Sequence, residues 1–217
     1  MTNDVILETE NNIAKVFFNK PKSFNSFDLD TIIQFANNII SLSYDESIKG
    51  IIISGTGKAF CSGGDLNWAS SYPQGLSTAF HELSSRFHQS ITEIRNTKKP
   101  VIAAINGIAA GGGFSLALAC DFRIMSKSAI LKQGFTSNGL SMVGGGTYSL
   151  PRLTGIARSL EIIAFDDPIF PEKALEYGLI NLIVNDDELI AESEKLINKI
   201  FSVSLNSFGI SKQLIYN

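Results

Sequence analysis

Twice in this chain a short apolar run ends in glycines that open into a second apolar, helix-forming stretch. The first instance is GIIISGTGKAFCSGGDL, residues 50–66, and the second is PVIAAINGIAAGGGFSLALACD, residues 100–121. The runs Gly50–Ser54 and Val101–Ile105 are short, rich in Ile and Val, and bounded by Gly or Pro, which predicts strands buried on both faces. Glycine admits positive φ and lets one backbone come close to another. A helix start presents N–H groups without intrahelical partners and the positive end of a dipole. Two strand–glycine–helix segments therefore point to an α/β fold in which strand ends and helix starts build a site for negative charge.

The rest of the chain fits that frame. Val5–Thr9 and Ile13–Phe18 are predicted as strands around the break Glu10-Asn11-Asn12. Asp28–Leu42 carries apolar residues at helical spacing, with Ser26 or Asp28 as N-cap. Leu76–Thr97 is predicted as a long helix ended by Lys98-Lys99-Pro100, Phe114–Cys120 as a helix and Phe122–Met125 as a strand. The alternation continues to Val184, and Glu188–Phe201 is a polar helix. Such alternation implies largely parallel sheets. It leaves open a doubly wound sheet or a spiral of β-β-α turns.

Three kinds of glycine-rich site are weighed. A phosphate-binding P-loop fails, because Gly57-Lys58 is followed by Ala59 and no glycine stands five residues before Gly57. The dinucleotide fingerprint G-x-G-x-x-G is supplied in place by neither turn. An oxyanion hole, with one N–H from each turn converging on one oxygen, remains. The bland alternative is that the glycines only permit tight packing, which is less apt for two matching turns than for one.

The bulk properties narrow the partners. The formal net charge is −3, so there is no basic field for nucleic acid or an anionic membrane. Val101–Cys120 has the length of a membrane span, but Pro100 and the glycines at 107 and 111–113 favour a strand, a turn and a buried helix. Two cysteines, Cys61 and Cys120, make no disulfide framework, and MTNDVILETE has neither a basic nor an apolar leader region, so a cytoplasmic setting is expected. No metal-ligand spacing occurs, and no metal is expected.

Several segments together resemble the enoyl-CoA hydratase/isomerase (crotonase) superfamily. KAFCSGGDL resembles its first motif, and KPVIAAINGIAAGGGFSLALACDFRI its second. NKPKSFNSF is similar to the early coenzyme A-binding loop, and GLSMVGGGTYSLPRLTG and KALEYGLINLIV to the segments that follow. The resemblance runs from about residue 5 to the end. It implies a spiral of β-β-α turns, with residues 1–185 as an acyl-CoA-binding core and 186–217 as a C-terminal helical segment shorter than the family's. It implies oxyanion-hole N–H groups at Ser62 and Gly112. Gly63, Gly64, Asp65 and Leu66 would line the coenzyme A, with Lys22 near its adenine or phosphates. Coenzyme A enters only as part of the substrate, and no separate cofactor is implied. A homotrimer or hexamer is the implied assembly.

The acids of the family are missing. Its hydratases use two glutamates, and the corresponding positions are Ser115 and Phe135; an aspartate of some isomerases falls on Val143. None of these side chains exchanges a proton usefully near neutral pH. His88, twelve residues before Pro100, stands where a dehalogenase branch places a histidine, and is the candidate base. Core or surface roles are the plainer reading of His88, His81, Glu82, Cys61, Tyr148 and Ser141, and a cap or ion pair of Asp121. The expected activity is that of an isomerase or a decarboxylase/lyase acting through a thioester enolate. The alternatives are a hydratase with displaced acids and a catalytically silent acyl-CoA binder.

Overall fold

The computed structural model describes residues 3–216. Met1, Thr2 and Asn217, at the outer ends of the two expected segments, lie outside the described residues. Strands β1 (Val5–Glu10) and β2 (Ile13–Phe18) form the hairpin expected at Asn11 and Asn12, both with positive φ (52° and 64°), as a tight two-residue turn requires. Helix α1 (Leu29–Tyr44) follows. Asp28 is its cap, accepting the N–H of Thr31 at 2.9 Å, and its inward stripe is Ile32, Phe35, Ala36, Ile39 and Leu42.

Three β-β-α turns then succeed one another. The first comprises β3 (Gly50–Gly55), β4 (Ala59–Cys61) and helices α2 (Leu66–Ser70) and α3 (Leu76–Asn96). The second is β5 (Val101–Ile105), β6 (Ile108–Ala110) and α4 (Gly112–Ala119). The third is β7 (Phe122–Ser126), β8 (Ile130–Lys132) and α5 (Gly146–Thr154), followed by α6 (Ile156–Phe165). Helix α7 (Pro171–Glu176), β9 (Leu182–Val184), α8 (Leu189–Phe201) and α9 (Leu205–Tyr216) complete the described chain. Each turn gives its first strand to a large sheet, ordered β1-β2-β3-β5-β7-β9, and its second to a small sheet, ordered β4-β6-β8. Among the strand pairs of the described residues, only β1–β2 is antiparallel. This is the spiral, not the doubly wound sheet.

The continuous apolar runs are explained by burial on both faces of the large sheet. Ile51, Ile53, Val101, Ala103 and Ile105 face the main core with Phe18, Phe35, Phe60 and Phe87. Their neighbours Ile52, Ile102 and Ala104 face outward and are covered by Leu189 and Ile197 of α8. The small sheet is the part that the sequence pattern hides. Its strands are three residues long, and two of them lie inside the stretches expected as glycine-rich turns. Pairing with neighbours, rather than local propensity, makes them strands.

Val101–Cys120 divides into β5, β6 and α4, and every residue of α4 is buried. Among the described residues no helix is long and apolar enough to cross a membrane.

Candidate active site

The two glycine-rich turns meet at one end of the small sheet. A Cβ added to Gly63 would lie 2.8 Å from the nitrogen of Gly112, and one added to Gly113 would lie 1.9 Å from the carbonyl oxygen of Cys61. Only glycine permits that approach. Gly63 and Gly111 also have positive φ (93° and 53°).

The loop Asn19–Phe27 lies over the first turn and fixes it. Asn25, fully buried, accepts the N–H of Lys20 and donates to the carbonyls of Thr56 and Ala59 at 2.9 and 2.7 Å. Phe27 N–H donates to Gly63 O, and Phe27 O accepts the N–H of Asp65, each at 2.9 Å. Asp65 then caps α2 by accepting the N–H groups of Asn67 and Trp68 at 3.0 Å.

This pattern engages one expected donor. The N–H of Ser62 is spent on the carbonyl of Phe24 at 3.0 Å, so Ser62 has no main-chain donor to offer. The carbonyl of Gly63 faces Phe27, and a trans peptide points its N–H the opposite way. The N–H of Gly64 therefore faces away from the loop, and among the described residues it has no acceptor. On the second turn Gly111 N–H is spent on Lys132 O at 3.2 Å, while the N–H of Gly112, the first residue of α4, has no acceptor among the described residues.

Gly64 and Gly112 both line a cavity of about 200 Å³. Its apolar wall is Phe27, Phe80, Leu83, Phe87, Phe135, Leu140 and Val143, with Leu66 half-exposed among its lining residues. Ser62, Ser84, Asn138 and Ser141 supply its polar side chains, and none of the lining residues carries an ionisable group. Of the three positions that hold acids in the family, Phe135 and Val143 are wall. Ser115 is fully buried one turn into α4, outside the lining, and its Oγ has no partner among the described residues.

His88 does not reach this cavity. It is exposed on α3, and its Nε2 accepts the N–H of Gly144 at 3.0 Å. The expectation that it serves as the base is corrected by that geometry: the ring nitrogen is already engaged, outside the wall. Lys22 is exposed on the 3-10 turn Pro21–Ser23, and Gly63 and Asp65 shape the turn without lining the cavity. Cys61 is a buried filler whose thiol is pushed up to about 12 by burial, against a lowering from the Gly63 N–H. Asp121 is an ion-pair residue, 2.7 Å from Lys212 Nζ.

Sequence reasoning missed Gly64 as a donor. The available signal was the directionality of successive peptides, but using it requires knowing that the loop Asn19–Phe27 pairs with the turn.

The comparisons agree with this architecture. A family model described as enoyl-CoA hydratase/isomerase matches residues 8–215. The crotonyl-CoA hydratase of Syntrophomonas wolfei is 32% identical over 210 residues, spanning 96% of this chain and 80% of that one. The 1,2-epoxyphenylacetyl-CoA isomerase of Escherichia coli is 31% identical, over 97% of this chain and 81% of that one. The crystal structure of an enoyl-CoA hydratase from Bacillus anthracis superposes with a TM-score of 0.92 at 31% identity, over 99% of this chain and 83% of that one. By sequence and by fold, the chain belongs to the enoyl-CoA hydratase/isomerase, or crotonase, family.

Proposed function

We propose that the chain binds an acyl-CoA thioester with its carbonyl oxygen between the N–H groups of Gly64 and Gly112, and that it catalyses decarboxylation of a malonyl-type thioester. The observation that carries this reading is a cavity with two unpartnered N–H donors and no ionisable side chain. An enolate places negative charge on the thioester oxygen, and aimed N–H donors favour that state over the neutral carbonyl. Removing an α-proton requires a base, which the wall does not offer. Decarboxylation does not: the bond from the α-carbon to the carboxylate breaks, its electron pair enters the enolate, and CO2 leaves. Water later returns a proton to the α-carbon. Phe135 and Val143 would strip water from the carboxylate, which further favours the charge-dispersed transition state. The coenzyme A would leave the cavity past Leu66 towards Lys22.

The same wall supports a second reading, a silent acyl-CoA binder, since a fold outlives its chemistry. The names of the relatives favour hydration or isomerisation, but Ser115, Phe135, Val143 and the engaged His88 lend neither a proton acceptor. A homotrimer or hexamer is part of the proposal, supported by exposed Ile156, Leu160 and Phe165 on α6.

The test is mass spectrometry of coenzyme A esters after incubation with the protein. Conversion of malonyl-CoA to acetyl-CoA, with no α-deuterium entering butyryl-CoA in D2O, is the expected result. Deuterium entry without CO2 loss overturns it in favour of base catalysis, and binding with neither leaves the silent binder.

A further inference from the structure

Two side chains of α3, His88 and Arg95, are absent from the cavity lining and instead grip the turn at Gly144–Gly145. His88 Nε2 accepts the N–H of Gly144 at 3.0 Å, and Arg95 Nη2 donates to Gly145 O at 3.4 Å and to Ser149 Oγ. Seven residues separate His88 from Arg95, which places them on one face of the helix about 10 Å apart. Gly144 and Gly145 both have φ of 66°. A Cβ on Gly144 would lie 2.3 Å from the ring of Phe87, and one on Gly145 would lie 2.9 Å from Arg95 Nη1. The turn is thus pressed flat on α3, over a phenylalanine that is itself cavity wall. Immediately before it come Leu140, Ser141 and Val143, three further wall residues.

Neither grip is part of an ion pair. Among the described residues His88 and Arg95 make no salt bridge, and Arg95 Nε, buried, has no acceptor. Arg95 instead has the rings of Tyr148 and Tyr216 at 4.9 and 5.5 Å from its guanidinium carbon. Its hydrogen bonds go to the turn and to the helix that the turn begins.

We infer that His88 and Arg95 are positioning residues, a two-point clamp on Gly144–Gly145 that sets the cavity wall at Leu140–Val143. The consequence for ligand binding rests on the reading that this cavity takes the acyl group. The clamp needs an acceptor at position 88, not an imidazole, so an amide oxygen is an adequate replacement and a hydrocarbon is not.

The test compares His88→Leu with His88→Gln, and Arg95→Met with Arg95→Lys. It measures amide hydrogen exchange over residues 140–150 without ligand, and hexanoyl-CoA affinity by calorimetry. For His88→Leu the expected results are exchange faster by on the order of tenfold, confined to that segment, and affinity weaker by about fivefold. His88→Gln is expected to restore both, and Arg95→Lys to exceed Arg95→Met. Unchanged exchange in His88→Leu, a change spread over the whole chain, or a His88→Gln variant as impaired as His88→Leu overturns the clamp. A wild-type protein that binds no acyl-CoA overturns the functional reading instead, and the ligand-free exchange still decides the clamp.

Discussion

The main-chain N–H of Phe27 donates to the carbonyl of Gly63 across 2.9 Å, and through the planarity of one peptide that bond turns the N–H of Gly64, a cavity-lining residue, away from the loop. Replacing Gly64 by proline deletes the donor. Alanine keeps it, and its Cβ would meet only the flexible end of Leu83, at 3.0 Å. Turnover of malonyl-CoA is expected to fall by about 10²–10³ in Gly64→Pro and by a few-fold at most in Gly64→Ala. Equal losses in two folded variants would show that the N–H is not the working group.

Gly113→Ala tests the approach of the two turns. Its Cβ would meet the carbonyl oxygen of Cys61 at 1.9 Å, a main-chain atom that no rotamer change can move aside. A loss of about 3 kcal/mol or more is expected in chemical denaturation, at the upper end for overpacking. A stability within error of the wild type would mean that the turns are looser than described.

The large elements were legible in the sequence because their signals are local. Gly50–Ser54 and Val101–Ile105 read as strands from composition and their Gly or Pro bounds, Asp28–Leu42 as a helix from periodicity and its cap, and Leu76–Thr97 as a helix stopped by Lys98-Lys99-Pro100; the structure has these helices at Leu29–Tyr44 and Leu76–Asn96. The start of a helix at Gly112–Phe114 was legible from the glycine run. Gly64 was not, because its direction is imposed by Phe27, more than thirty residues earlier. The position of His88 was equally hidden. It depends on the backbone of Gly144, across the fold, which turns a plausible base into a structural acceptor.

Val143→Asp would supply what the wall lacks. A carboxyl among Phe87, Leu140 and Phe135 would have its pKa raised by burial, which strengthens it as a base once ionised. The variant is expected to exchange the α-protons of butyryl-CoA with D2O where the wild type does not, at a stability cost of about 1–3 kcal/mol. Absence of exchange in a variant that still binds the ester would argue that the thioester carbonyl does not lie between Gly64 and Gly112.

The ion pair of Lys212 with Asp121 ties α9 to the end of α4, with side chains only 3% and 8% exposed. Burial pushes the Asp121 carboxyl up and the Lys212 ammonium down, while each partner opposes the shift of the other. Lys212→Met strands the carboxylate and is expected to cost about 3–5 kcal/mol in denaturant unfolding, much of it regained on adding Asp121→Asn. Additive losses in the double variant would contradict a coupled pair.

Acid stability should report on Asp28. Burial alone would raise its carboxyl, but the Lys20 ammonium and the N–H and hydroxyl of Thr31 hold it below its ordinary value of 3.8. A carboxyl depressed in the folded state adds stability that is present above its unfolded value and is lost as pH falls through its folded value. The melting temperature of the wild type should therefore exceed that of Asp28→Asn at neutral pH. The difference should close as the pH drops below 3.8. A gap that persists at the acid end would assign the difference to packing.

Cys61 and Cys120 are both free and both buried, and burial pushes each thiol up to about 12. Alkylating reagents need a thiolate they can reach, and the folded chain presents none at neutral pH. Two buried sulfurs thus serve as a silent label: maleimide consumed, up to two equivalents per chain, records interiors that have opened.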